Sequence, residues 1–251
     1  MPEHDFRGKV AAVTGGGSGI GQVTAHLLAS RGAQVAVLDT NLGKVADPLI
    51  GIPADVTDDD SVTSAIARLA ERFGRLDVLV NNAGIGAQGT VEDGDLDTWR
   101  HVFDVNVLGV VRTTRAALPH LRRAAPASIV NTCSIVATAG LPKRALYSAS
   151  KGALLALTRA MAADHIAEGI RVNCVTPGTV ETPWISRLLA AADNPDAERA
   201  ALKARQPTGE LVDPDEVARA IAYLASPSST STTGIALPVD GGMDGIRQET
   251  T

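Results

Sequence analysis

With 251 residues, 45% hydrophobic and 20% charged, the chain can bury one large core and reads as a single domain over 1–251. A net charge of -5 and a pI near 5.5 argue against nucleic acid or an anionic membrane as the main partner. Cys133 and Cys174 are too few for a disulfide framework and have no Cys or His at metal-ligand spacing, Met1 to Lys9 has no apolar leader core, and no apolar run approaches the ~20 residues of a spanning helix, so a cytoplasmic protein with no membrane partner is expected.

Lys9 to Thr14 (KVAAVT) is a β-branched-rich run that stops at Gly15 and reads as a buried parallel strand feeding a tight turn. Gly15-Gly16-Gly17-Ser18-Gly19-Ile20-Gly21 then opens a helix reaching about Ala29. Gly15 permits the turn. Bare backbone at Gly19 and Gly21 lets phosphate approach N–H groups and lets the helix pack on the strand. The spacing departs from the G-x-G-x-x-G dinucleotide fingerprint, yet strand and helix flank it on the sides a phosphate loop requires. Gln34 to Asp39 (QVAVLD) is a second strand, ending in an acid about 20 residues past the glycines, where a carboxylate accepts hydrogen bonds from an adenosine ribose. Asp39 would repel a 2′-phosphate, and neither Thr40, Asn41 nor the glycine loop supplies a cation, so NAD is expected rather than NADP.

Leu49 to Asp55 is a third strand with Asp55-Val56 at its carboxyl end, and Asp58 to Phe73 has helical apolar spacing with Asp58 as N-cap. Leu76 to Val80 is a fourth strand before Asn81-Asn82-Ala83-Gly84. In a doubly wound sheet that turn would face the glycine loop across the crevice; as bare sequence it is also an ordinary Asn-Gly-type turn. Leu96 to about Leu121 forms a long helix with Asn106 among Val102, Val105, Val107 and Val110. An amide in that company needs a structural hydrogen bond or a site water, and spacing leaves both open.

Ser128 to Cys133 is a fifth strand delivering Ser134 at its carboxyl end, where sites in such sheets form. The following helix carries Tyr147 and Lys151, four residues apart and so on one face. A phenol is a poor base at neutral pH, and a neighbouring ammonium favours its ionised form, which makes Tyr147 a candidate proton donor and acceptor. Ile170 to Thr176 is a sixth strand before Pro177-Gly178, and Ile235 to Val239 a seventh before Asp240-Gly241-Gly242. Between them Thr179 to Pro207 is the least regular stretch and the expected substrate lid. The pattern is α/β: a Rossmann-type, doubly wound, seven-stranded parallel sheet with helices on both faces.

From about Phe6 to Met243 the chain resembles the short-chain dehydrogenase/reductase family, through TGGGSGIG (Thr14 to Gly21), Asp55-Val56, NNAG (Asn81 to Gly84), Asn106, Ser134, YSASK (Tyr147 to Lys151), Pro177-Gly178 with Thr182, and VDGG (Val239 to Gly242). The resemblance implies a Ser-Tyr-Lys-Asn tetrad. Ser134 would hydrogen-bond the substrate oxygen, Tyr147 exchange its proton, Lys151 hold the nicotinamide ribose and support the tyrosine, and Asn106 anchor a water in the proton relay. It implies cofactor contacts from Gly15, Ser18, Gly19, Ile20, Gly21, Asp39, Asp55, Val56, Asn82, Ala83, Gly84, Tyr147, Lys151, Pro177, Gly178, Val180 and Thr182. It also implies that the two long helices pair between subunits of a homotetramer.

In the lid, PGTVETP (Pro177 to Pro183), Asn194-Pro195 and Leu202 to Gly209 are similar to the branch with type 2 (R)-3-hydroxybutyrate dehydrogenases and 2-keto-3-deoxy-L-fuconate or L-fucose dehydrogenases. In the hydroxybutyrate members arginines gather the substrate carboxylate. Arg144 and Arg205 match two of those positions, Arg187 falls one residue from a third, and Trp184 stands where smaller residues occur. The expectation is an NAD-dependent oxidoreductase acting on a secondary alcohol or ketone of a small carboxylate-bearing substrate, a hydroxy acid or deoxy sugar acid. Ser134, Arg144, Tyr147, Trp184, Arg187 and Arg205 would contact that substrate, and no metal is expected. A 3-oxoacyl-carrier-protein reductase, which would use NADP, and a catalytically silent dinucleotide sensor or scaffold are the alternatives; Asp39 counts against the first and the intact tetrad against the second.

Overall fold

The computed structural model describes residues 5–43, 45–190 and 192–247. Met1 to His4 of the expected leaderless start, and the last residues of the expected 1–251 domain, lie outside the described residues. Seven strands form one parallel sheet in the order β3-β2-β1-β4-β5-β6-β7. They are β1 (Val10–Thr14), β2 (Gln34–Asp39), β3 (Ile50–Pro53), β4 (Val78–Asn81), β5 (Ala127–Thr132), β6 (Ile170–Pro177) and β7 (Ala236–Val239). Strand order reverses after β3, so β1 lies between β2 and β4, and the crevice at that switch point is open for a ligand.

Alternation of side chains along each strand supplies both faces of the sheet. Val10 and Ala12 point into one apolar cluster with helices α2 (Asp59–Phe73), α4 (Gly109–Ala124) and α5 (Ala145–His165), while Ala11 and Val13 point into a second with α1 (Gly19–Ser30) and α8 (Pro214–Ala225). Strands buried on both faces read as continuous apolar runs, and all eight residues of β6 are buried. Helix starts follow local chemistry: Asp58 caps α2 by accepting from the Asp60 and Ser61 N–H groups, and Asp213 opens α8 with a capping box to Glu216. Among the described residues no helix is long and apolar enough to cross a membrane.

Two expected elements differ. The long helix expected from Leu96 to Leu121 is three pieces: α3 (Leu96–Phe103), a π-helical turn (Asp104–Leu108) and α4. Asn106 sits in the π turn, where one extra residue per turn re-aims side chains, a feature frequent at functional sites. The stretch 179–207, expected to be irregular, contains α6 (Pro183–Ala190) and α7 (Pro195–Ala204), the latter capped by Asn194 with Pro195 at its first turn. A bidentate pair from Arg199 to Glu181, at 2.7 and 2.8 Å, ties α7 back to the segment leaving β6.

Candidate active site

A cleft of about 660 Å³ follows the carboxyl ends of the strands from Asp39 and Asp55 at one end, past the glycine loop, to Tyr147 and the 179–207 segment at the other. Gly15 has φ 63°, and a Cβ there would come within 2.8 Å of Ala83 Cα, so conformation and clearance both require glycine. Ser18 starts α1 without a side-chain cap, so the first-turn N–H groups of that helix are left for an anion. Over Gly19 the nearest atom to a built Cβ is Thr182 Cγ2 at 3.7 Å, which leaves room for one. Gly21 is the one glycine of the expected cofactor set that does not line the cleft. A Cβ on it would strike the Gly15 carbonyl and the Asn82 amide, so its part is packing.

The turn after β4 is locked to β1. Thr14 Oγ1 accepts from the Asn82 and Ala83 N–H groups at 3.0 and 3.1 Å, while Asn82 Nδ2 donates to the Thr14 and Gly15 carbonyls at 3.2 and 3.1 Å. Asn82 Oδ1 accepts from Thr132 Oγ1 at 3.3 Å, which brings in the end of β5. Asn82 lines the cleft, but its hydrogen bonds hold three strand ends together.

At the far end of β2, Asp39 accepts from the Gly17 and Asn41 N–H groups, both at 2.9 Å, and stands at the cleft edge. Among the described residues the lysine and arginine side chains lining the cleft are Lys151, Arg144, Arg187 and Arg205, all from α5, its cap and the 179–207 segment. Asp55 accepts from Thr57 N and Thr57 Oγ1 at 2.9 and 2.7 Å, and those bonds hold its carboxyl below the usual carboxylate range. Val56, Ala83, Gly84, Ile20, Pro177, Gly178, Val180 and Thr182 line the same cleft.

Tyr147 and Lys151 meet on α5, with Lys151 Nζ 5.7 Å from the centre of the Tyr147 ring. Lys151 is 4% exposed and donates to the Thr132 carbonyl at 2.8 Å, which aims its ammonium at the end of β5. Ser134 follows that strand and starts a short 3₁₀ turn (Ile135–Ala137), its hydroxyl 3.4 Å from Val136 N. Asn106 is 1% exposed and does not line the cleft. Its Oδ1 accepts from Ile85 N at 2.8 Å, and its Nδ2 donates to Ile85 O at 2.9 Å and Ser150 Oγ at 3.1 Å. Ser150 Oγ donates to the Tyr147 carbonyl at 2.8 Å. Of the two uses that spacing left open for Asn106, the structural hydrogen bond is the one its side chain makes, and a water has only acceptor positions left on that amide.

Arg144, Arg187, Arg205 and Trp184 all line the cleft beside Tyr147. Arg144 is half-buried; burial, and then the like charge of Arg205, hold its guanidinium below the ordinary arginine range. Among the described residues none of the three arginines makes a side-chain hydrogen bond or ion pair. Sequence reasoning missed the apolar lining from Gly86, Val136, Leu141 and Leu202. It also missed that Cys133 and Cys174 share one buried cluster, because β5 and β6 are neighbours in space and not in sequence. The Cys174 thiol, with Lys151 nearby, pulls the Cys133 thiol down to about 7 against its burial, and Cys133, with burial, pushes the Cys174 thiol up in turn.

A family model described as Enoyl-(Acyl carrier protein) reductase matches residues 15–244. Among curated relatives, the cis-4-hydroxycyclohexanecarboxylate dehydrogenase of Sinomonas cyclohexanicum is 42% identical over 251 residues, covering 96% of this chain and 98% of its own. The 2-keto-3-deoxy-L-fuconate dehydrogenase of Xanthomonas campestris pv. campestris is 36% identical over 249 residues, covering 96% and 82%. Among solved structures, the ligand-free aldohexose dehydrogenase (AldT) of Thermoplasma acidophilum superposes with TM-score 0.93 at 32% identity, covering 100% of this chain and 99% of that one. These matches make the protein an oxidoreductase of CH–OH groups that uses a nicotinamide dinucleotide and a small-molecule substrate. With the glycine loop, the Tyr147-Lys151 pair and the seven-stranded sheet in one frame, the chain belongs to the short-chain dehydrogenase/reductase family.

Proposed function

We propose that the enzyme is an NAD-dependent dehydrogenase acting on the secondary carbinol, or the corresponding ketone, of a small substrate that carries a carboxylate. The observation that carries this reading is the convergence of Arg144, Arg187 and Arg205, without carboxylate partners among the described residues, on the cleft that holds Tyr147 and Ser134. A guanidinium is a planar fork that matches a carboxylate bidentately, and burial raises the value of such a contact. The relative named for a hydroxycyclohexanecarboxylate and the one named for a deoxy sugar acid both fit a carbinol and a carboxylate on one small molecule.

The cleft fits a dinucleotide on this chain's own geometry: uncapped N–H groups at the start of α1, free space over Gly19, and an acid at the end of β2. Gly15, Ser18, Gly19 and Ile20 would receive the pyrophosphate, Asp39 the adenosine ribose, and Asp55 with Val56 the base end. Asn82 to Gly84, Pro177, Gly178, Val180 and Thr182 would wall the nicotinamide half. When bound, the nicotinamide supplies or accepts the hydride. Ser134 Oγ would hold the substrate oxygen and Tyr147 Oη would give or take its proton, with the buried Lys151 ammonium stabilising the phenolate. Asn106 acts from behind, fixing Ile85 and, through Ser150, the first turn of α5. Residues 179–207 form the lid of this single domain.

Asp39, with no cation near it along the cleft among the described residues, supports NAD over NADP. We also infer a cytoplasmic homotetramer. The outer face of α5, with Ala149, Ala156 and Ala160 exposed, supports helix pairing, whereas α4 turns Arg115, Arg122 and Arg123 outward and supports it less. The test of the function is a turnover screen of hydroxy acids and sugar acids, including cis-4-hydroxycyclohexanecarboxylate, with NAD and NADP. Turnover confined to neutral alcohols, or equal use of NADP, contradicts it.

A further inference from the structure

Trp184 stands in the first turn of α6, 40% exposed, with its ring against bare backbone at Gly86, where a built Cβ would come within 2.8 Å of Cζ2. The ring lines two cavities, which also share Gly86 and Arg187. One is the Tyr147 cleft. The other, of about 530 Å³, is lined by Gly86, Trp184 and Arg187 and contains Gln88 and Glu198. The two differ in chemistry. Around the Tyr147 end, the lining side chains from 134–147 and 183–205 include no carboxylate and no carboxamide; apart from Ser134, Tyr147 and the arginines, they are apolar, among them Val136, Leu141, Ile185 and Leu202. The amide and carboxylate that could pair with extra substrate hydroxyls, Gln88 and Glu198, line the second cavity and not the first.

We propose that Trp184 is a specificity-determining partition, and that the substrate is an acid whose carbon skeleton between carbinol and carboxylate is apolar, a cyclic or alkyl hydroxy acid and not a polyhydroxylated sugar acid. This rests on the carboxylate reading above and narrows it. A hydroxyl carried into an apolar slot without a partner loses its water hydrogen bonds and gains nothing in return. The indole face offers a flat hydrocarbon skeleton area to pack against, and Gly86 keeps the ring seated.

The test uses two six-carbon acids with a carbinol at the same carbon, 5-hydroxyhexanoate and gluconate, which differ by gluconate's additional hydroxyls. With NAD, the native enzyme should favour 5-hydroxyhexanoate by at least about a hundredfold in kcat/KM. Trp184→Ala should lose about tenfold or more on 5-hydroxyhexanoate while gluconate holds or improves, and Trp184→Phe, which keeps an aromatic wall, should preserve the native ratio within about threefold. A native ratio near one, or an equal loss on both acids in Trp184→Ala, overturns the partition. Should both acids fail while 2-hexanol is oxidised, the carboxylate reading falls, and the ratio of 2-hexanol to sorbitol in the same three proteins decides the partition alone. Failure of all four substrates overturns both.

Discussion

Arg144→Ala is the most informative single change. The side chain is half-buried at the N-terminal cap of α5, three residues before Tyr147, and its guanidinium is disfavoured by burial and by Arg205. In the free enzyme that charge is therefore a cost, so removing it should leave the melting temperature unchanged or slightly higher. In the substrate complex the sign reverses, because a carboxylate between Arg144 and Arg205 turns like-charge repulsion into two attractions. A hydrogen bond to a charged group contributes about 1.5–3 kcal/mol net, and RT ln of the rate ratio converts that to roughly ten- to a hundredfold in kcat/KM. Arg144→Lys should fall between, keeping charge and losing the fork. The assay is steady-state kinetics on a turned-over hydroxy acid and on its amide or alcohol counterpart, alongside a thermal melt. Equal losses on charged and neutral substrates, or a melting temperature several degrees lower, would refute the carboxylate role and leave Arg144 as a support of the α5 cap.

Asp39→Ala should narrow the preference for NAD by improving NADP binding, since the acid near the ribose repels a 2′-phosphate; titration calorimetry with both cofactors measures it. Tyr147→Phe should cut kcat by about 10²–10⁴-fold, the usual worth of a positioned acid-base group, with cofactor affinity by fluorescence titration largely kept. Asp77 is 2% exposed and held below the ordinary aspartate range: burial would raise it, but Arg75, the Val10 N–H and Lys9 outweigh that. Because the folded value is depressed, its stabilisation is present above the ordinary aspartate range and lost as pH falls through the folded value. Asp77→Asn should thus lower the melting temperature at pH 7 by about 6–12 °C, from about 3 kcal/mol for breaking a buried ion pair, and the gap to the native protein should close in strong acid. Light scattering at micromolar concentration should give the mass of four 25.9 kDa chains; a monomer contradicts the assembly.

Most strands and their order along the chain were legible because strands buried on both faces leave short, β-branched apolar runs ending in glycine or asparagine turns, as at Gly15 and at Asn81-Asn82. The π turn around Asn106 was not, since a single extra residue in one turn leaves no trace in an apolar spacing of 3–4. One helix of the 179–207 stretch left a sign in the sequence: Asn194-Pro195 followed by Asp196 and Glu198 is a capped helix start. That Gly21 should pack α1 on β1 was legible, whereas its contact with the Gly15 carbonyl and the Asn82 amide was not, because only the folded turn brings them near. The lining from Leu141 and Leu202 escaped for the same reason, as did the meeting of Cys133 with Cys174. Separation in the chain conceals what sheet order joins.

The bond pattern at Asn106 has a consequence for substrate choice. By accepting from the N–H and donating to the C=O of the same residue, Ile85, the amide imitates an adjoining strand and splints the backbone beyond β4, where the sheet no longer accompanies it. The next residue along that splinted segment is Gly86, on which the Trp184 ring rests. A change at Asn106 thus travels outward as well as toward the tyrosine: a leucine there would release Ile85, let the unsupported segment curl, and unseat the indole. An asparagine with no atom in the cleft would then be audible in which molecules the enzyme accepts, as well as in how fast it turns them over.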